Sequence, residues 1–124
     1  MATLGDIMTP DPHRVERSTT LAEAADVMVH GRFGSVIVTT GSTLVGIFTE
    51  RDMLRAAASQ ADVTTETVGT WMTADPITAP PDQDVSEAEL TMVQHGFRHL
   101  PVVEGGEVVG MVSLRDLFSV RIGR

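Results

Sequence analysis

The sequence predicts an α/β (α+β) fold of two β-α-β-β-α repeats packed with pseudo-two-fold symmetry, and three observations carry that prediction. The 124-residue chain matches itself without a gap when 3–55 is laid over 67–119, with 17 identities in those 53 positions. A repeat of this kind fixes the architecture before any single element is read. Each copy also holds an amphipathic stretch behind a capping signal, and two β-branched-rich runs joined across a glycine turn.

The elements follow in order. After Asp11-Pro12 and Asp75-Pro76 comes a short extended piece, since Asp-Pro initiates a turn and the chain leaves it extended. Thr20 with Glu23, and Asp84 with Glu87, have capping-box spacing, in which a side-chain oxygen and a carboxylate reciprocally satisfy orphan amides. Behind them Leu21, Ala24, Ala25 and Met28, and in the second copy Val85, Ala88 and Met92, form helical stripes that end near Gly31 and Gly96. Val36-Ile37-Val38 and Leu100-Pro101-Val102-Val103 each precede a glycine turn (Thr40-Gly41-Ser42, Glu104-Gly105-Gly106) and a second apolar run, the pattern of a β-hairpin. A last helix opens at Glu50 or Leu114, with Met53 and Leu54, or Leu117 and Phe118, expected to face inward. The repeat divides the chain into copy 1 over 1–58, a polar connector over 59–66 and copy 2 over 67–124. A unit of about 55 residues hides only about 60 % of its unfolded surface. The copies are therefore expected to pack together, with two equivalent clefts along their seam.

Composition narrows the function. Seventeen acidic against nine basic residues give a net charge of −8, which repels a nucleic-acid backbone or an anionic membrane face. No apolar run approaches the ~20 residues of a bilayer-spanning helix, and the start Met1-Ala2-Thr3-Leu4-Gly5-Asp6 has no basic-then-apolar secretory pattern. A soluble, cytoplasmic protein is expected. The absence of cysteine excludes disulfides, thiol nucleophiles and thiolate metal sites. Every basic residue is arginine, which suits forked recognition of phosphate or carboxylate and excludes a lysine Schiff base. His13, His30 and His95 have no metal-ligand spacing, so no metal is expected.

The chemistry concentrates in Gly46-x-x-Thr49-x-x-Asp52 and Gly110-x-x-Ser113-x-x-Asp116, both at strand-to-helix junctions. In one reading the hydroxyl and the acid are a helix N-cap and its reciprocal partner, with glycine relieving crowding. In the other, first-turn amides receive a phosphate and the hydroxyl adds a hydrogen bond. The aspartate then accepts from the vicinal hydroxyls of a ribose, and glycine admits the ligand close to the backbone. No nucleophile or paired acid and base can be assembled around these residues, so no catalytic residue and no enzymatic activity are expected.

With these motifs the chain resembles the paired cystathionine-β-synthase (CBS) domain family, the Bateman module. The resemblance spans both copies through the Met-Thr-x-Asp-Pro lead-in, the capped helix, the Arg98-His99-Leu100-Pro101-Val102-Val103 run and both Gly-x-x-Thr/Ser-x-x-Asp signatures. It implies adenosine-containing ligands (AMP, ADP, ATP or S-adenosylmethionine) in the inter-repeat clefts, and a disc-shaped homodimer of two modules. It places ribose contacts on Asp52 and Asp116, and ribose or phosphate contacts on Thr49 and Ser113. It further implies phosphate contacts from Arg98 and His99, and backbone contacts to the base from Ile77 and Thr78. Copy 1 departs from the pattern at Gly34-Ser35-Val36-Ile37, which has neither the basic pair nor the proline. The expected function is a regulatory, ligand-sensing module that needs no cofactor and modulates a client protein. A ligand-free homodimerisation scaffold is the alternative.

Overall fold

The computed structural model describes residues 2–121. In chain order the elements are α1 (Leu4–Ile7), β1 (Thr9–Pro10), β2 (Arg14–Val15), α2 (Leu21–Gly31), β3 (Ser35–Thr40), β4 (Thr43–Thr49) and α3 (Glu50–Ala58). There follow α4 (Val68–Trp71), β5 (Thr73–Ala74), α5 (Val85–His95), β6 (His99–Glu104), β7 (Glu107–Ser113) and α6 (Leu114–Arg121). They form two compact units: a central one, His13–Pro76, and a terminal one, Met1–Pro12 with Ile77–Arg124. Packing unit and sequence repeat are thus offset, because the first dozen residues of the chain pack with the second copy.

In the central unit the sheet order is β2-β3-β4-β5, with β2 parallel to β3 and the remaining pairs antiparallel. Val36, Val38 and Phe48 from the sheet meet Leu21, Ala24 and Met28 of α2, with Ala56 of α3 and Val68 of α4 completing the core. Each of the valine, leucine, methionine and phenylalanine side chains among them contributes ~1.5–3 kcal/mol when fully buried. Thr20 and Glu23 form the expected capping box, Glu23 N donating to Thr20 Oγ1 at 3.1 Å and Thr20 N to Glu23 Oε1 at 2.9 Å. The 59–66 connector packs as well: Leu21 N donates to Glu66 O and Ala22 N to Val63 O, both at 2.9 Å.

The terminal unit repeats this plan with order β1-β7-β6, and its core joins Leu4 of α1 to Ala88, Met92, Leu100, Val102, Val112 and Leu117. Leu4 N donates to Gln83 O at 3.0 Å and Gly5 N to Pro81 O at 2.8 Å, which ties the start of the chain to the second copy. The turn after β6 has positive φ at both Gly105 and Gly106, a conformation that glycine alone adopts without steric cost.

Three expectations are corrected. Asp84 caps α5 by accepting from Ser86 N at 2.8 Å and also from the Ser86 hydroxyl, while Glu87 Oε2 accepts from the Gln83 side chain at 3.5 Å. Two donors on one serine outcompete the reciprocal box. Leu54 and Phe118 point outward, 71 % and 47 % exposed, because Asp52, Ala56 and Leu117 take the buried faces of α3 and α6. Helix α2 ends at Gly31 as expected; Arg32 (φ 58°) follows in the left-handed conformation, and the missing Cβ of Gly31 accommodates the Phe33 ring. The extended piece after Pro76 shrinks to a single parallel bridge, Ala79 to Val102. Pro80, Pro81 and Pro101 have no amide to donate to a longer ladder.

Candidate functional site

Both signatures sit where a hairpin strand runs directly into a helix. In the terminal unit Ser113 ends β7 and caps α6: Asp116 N donates to Ser113 Oγ at 3.1 Å and Ser113 N to Asp116 Oδ2 at 2.9 Å. In the central unit Asp52 N donates to Thr49 Oγ1 at 3.3 Å and Thr49 N to Asp52 Oδ2 at 2.9 Å. The capping chemistry is therefore realised in both copies, and what separates them is the acceptor capacity that each carboxylate retains.

An ionised carboxylate offers about four lone-pair positions. Asp52 accepts from Thr49 N, from Thr49 Oγ1 at 3.1 Å and from Arg55 Nη1 at 2.9 Å, and it is 3 % exposed. Asp116 is half-buried and, among the described residues, accepts only from Ser113 N. Oδ1 of Asp116 thus has no partner among the described residues, whereas both oxygens of Asp52 are engaged. The copy 2 counterpart of Arg55 is Ser119, whose hydroxyl donates to Arg115 O at 3.2 Å.

The other predicted residues of copy 2 gather at the same end of the terminal unit's sheet. His99 pairs with Ser113 across β6 and β7, and Leu114 N donates to Arg98 O at 2.8 Å, so Arg98 and His99 flank the opening of α6. Arg98 is exposed and His99 half-buried. Ile77 and Thr78, both exposed, lead into Ala79 alongside β6, with Ala79 N donating to Pro101 O at 3.2 Å. In the central unit the matching carbonyl, that of His13, accepts from Ile37 N at 3.0 Å. Pro101 occupies the Ile37 position in copy 2 and has no amide, so among the described residues the Ile77 carbonyl accepts nothing. Thr49 and Asp52 lie in the central unit beside Gly34 and Ser35: Ser35 pairs with Thr49, and Glu50 N donates to Gly34 O at 3.1 Å.

The signature glycines serve packing. A Cβ on Gly46 would lie 2.5 Å from Met72 Sδ, and one on Gly110 would run into the Met8 side chain. The methionines of the two Met-Thr-x-Asp-Pro lead-ins cover them, so the expected approach of a ligand to the glycine backbone is replaced by a side chain of the protein itself. Asp11 and Asp75 turn the chain with φ of 48° and 49°, and their amides donate to Val109 O and Val45 O.

Three participants escaped the sequence reading. Arg55 clasps Asp52 and lies 5.8 Å from the centroid of the Trp71 ring, while Trp71 Nε1 donates to Glu66 Oε1 at 2.8 Å. The signal for Arg55 was its replacement by serine in copy 2, visible once the copies are aligned. Met8 and Met72 are the other two, and their recurrence opposite a recurring glycine was the available clue. Among the described residues no cluster of three or more His, Asp or Glu could hold a metal ion, and no helix is long and apolar enough to cross a membrane.

A doubled strand-to-helix junction with a capped acid defines a tandem repeat module, and comparison with known proteins places it. The CBS domain profile matches residues 4–59 and 68–123. A 17.7 kDa protein of Acidianus ambivalens is 38 % identical over 120 residues, 94 % of this chain and 72 % of that protein. The CBS domain-containing protein YhcV of Bacillus subtilis is 33 % identical over 118 residues, 94 % of this chain and 84 % of its own length. The CBS domain pair of protein MJ0100, solved in complex with 5′-methylthioadenosine and S-adenosyl-L-methionine, superposes with a TM-score of 0.92 at 26 % identity, covering 99 % of this chain and 98 % of that one. The chain belongs to the CBS domain family and carries two copies of the domain.

Proposed function

We propose that the chain is a regulatory module that senses an adenosine-containing ligand, of the class AMP, ADP, ATP or S-adenosylmethionine, at the β7–α6 junction of the terminal unit. The observation that carries this reading is Asp116, whose cap uses one carboxylate oxygen and leaves the other open among the described residues. Asp116 takes the ribose diol, and Ser113 contacts ribose or phosphate. Arg98 and His99 meet the phosphates, where a guanidinium forms strong charge-assisted bonds. Ile77 and Thr78 meet the base through their backbone. The adenosine-derived ligands of the MJ0100 domain pair support the ligand class. Thr49 and Asp52 are the matching pair in the central unit, where Thr49 and Arg55 already occupy the carboxylate.

The module needs no cofactor and no catalytic group to work. A ligand that prefers one arrangement shifts the population toward it, and a client protein reads the shift in the cytoplasm. Homodimerisation is part of the proposal, supported by Val29, Leu54, Leu90 and Val93, apolar side chains that are 58–73 % exposed.

Thermal shift and calorimetry with AMP, ATP and S-adenosylmethionine test the reading. Ligand at 100 times its dissociation constant adds about 2.7 kcal/mol of stability. Asp116→Ala should abolish that gain while costing the fold a cap-like ~1 kcal/mol. Raised salt should weaken ATP more than adenosine if Arg98 meets phosphate. No shift with any of these compounds at millimolar concentration would favour the ligand-free scaffold, a reading that the completed caps in both copies also fit.

A further inference from the structure

We infer that Arg55 closes the central unit's signature to ligand, and that the chain therefore takes one nucleoside ligand rather than two. This rests on the reading of Asp116 as the diol acceptor, because it asks why the same acid in the other copy does not serve. A vicinal diol brings two donors to a carboxylate and needs two acceptor positions facing outward. Asp52 has three of about four filled, two on Oδ2 by Thr49 and one on Oδ1 by Arg55.

The Arg55 side chain is 57 % exposed, but it has two partners. Its guanidinium bonds Asp52 and lies near the face of Trp71, whose own indole N–H is tied to Glu66. Arg55 is held on two sides, and Asp52 is left almost without exposure. A planar, permanently charged fork is also the side chain best suited to compete with hydroxyl donors for a carboxylate. Copy 2 has serine in its place, and that hydroxyl turns to the helix backbone instead. Two donors thus separate the acids among the described residues: the Thr49 hydroxyl, which fills a second position on Oδ2, and Arg55, which alone engages Oδ1. Asp52 works as the anchor of an Asp52–Arg55–Trp71 stack, and Arg55 is the residue that determines specificity at this position.

The test uses the full chain, with adenosine as the probe because the central unit has no counterpart of Arg98-His99. Calorimetry of the unsubstituted protein should show one site per chain, lost in Asp116→Ala and retained in Asp52→Ala. In Arg55→Ala a second, weaker adenosine site should appear, reported by a saturable change in Trp71 fluorescence that persists in the Arg55→Ala/Asp116→Ala double variant. Asp52→Asn on that background should remove it, and 2′,3′-dideoxyadenosine should fail to produce it. Arg55→Ser, which copies the second signature, should behave as Arg55→Ala does and guards against a local packing effect of alanine. Two sites in the unsubstituted protein, one of them lost in Asp52→Ala, would overturn the inference while leaving the Asp116 reading standing. One site in both Arg55 variants would overturn it too. No adenosine binding in any of these proteins would instead overturn the Asp116 reading on which the inference rests.

Discussion

Leu4 gives the sharpest test of how the chain is divided. It stands at the beginning of copy 1 in sequence, yet its side chain is fully buried in the core that Met92, Leu100 and Val112 of copy 2 build. Leu4→Ala deletes three carbons, ~2.4 kcal/mol at ~0.8 kcal/mol per buried methylene. The cavity left behind brings the expected cost to about 3 kcal/mol, inside the ~2–5 kcal/mol range of such substitutions. That is a ~10²-fold loss in the folded-to-unfolded ratio, readable by urea denaturation provided that the slope with denaturant stays constant. Stability alone does not say which core Leu4 serves, so the informative measurement is a pair of double-mutant cycles. Leu4→Ala combined with Met92→Ala should depart from additivity by ~0.5 kcal/mol or more, while Leu4→Ala with Met28→Ala should add within ~0.5 kcal/mol. Val68, the counterpart of Leu4 in copy 2, lies in the core with Met28, so Val68→Ala should couple with Met28→Ala instead. Coupling of Leu4 to Met28 with additivity toward Met92 would refute the assignment of residues 1–12 to the terminal unit.

Two further outcomes follow from local chemistry. Gly110→Ala should cost ~1–3 kcal/mol through overpacking against Met8, and Met8→Ala on that background should recover part of the loss; a neutral Gly110→Ala, or no coupling between the two sites, would show that Met8 moves aside freely. Asp6, Glu23, Asp62 and Asp84 all hold their carboxyls below the ordinary values of 3.8 for aspartate and 4.5 for glutamate, chiefly through hydrogen bonds from Thr3, Thr20, Thr64 and Ser86. Since the unfolded chain then binds more protons, stability is at full value above those ordinary values and declines as pH falls through and below them. Denaturation series between pH 6 and pH 3 should show that decline, and Glu23→Gln should make it shallower; an unchanged slope would remove the α2 capping box as a contributor.

Much of the fold was readable from local signals. The Thr20–Glu23 box, the Leu21/Ala24/Met28 stripe and the glycine turns specify their elements over a few residues, and the repeat confirmed each by doubling it. What was hidden depends on distance or brevity. Helices α1 and α4 are single turns, too short to show periodicity, and β1 and β5 are two residues long. Nothing local to Met8 says that it covers Gly110, far downstream in the other copy. The inward placement of Leu54 and Phe118 failed because adjacent apolar residues on a helix point about 100° apart, so only one of each pair can face the core. At the site, the signatures located both acids, but their difference lay one helical turn further on, at Arg55 and Ser119.

The split of the terminal unit dictates an order of assembly. Emerging from the ribosome amino end first, the chain finishes the central unit as soon as Pro76 is free, whereas Leu4 must wait for strands β6 and β7 near the other end of the chain. The two ends leaving the central unit belong to β2 and β5, the outer strands of a four-stranded sheet, set roughly 14 Å apart by three spacings of ~4.8 Å. Once that sheet has formed, closure of the terminal unit spans a fixed, short gap in place of a floppy loop running from His13 to Pro76, which lowers the entropy lost when its two pieces meet. The half of the molecule proposed to hold the ligand is thus the last to be completed.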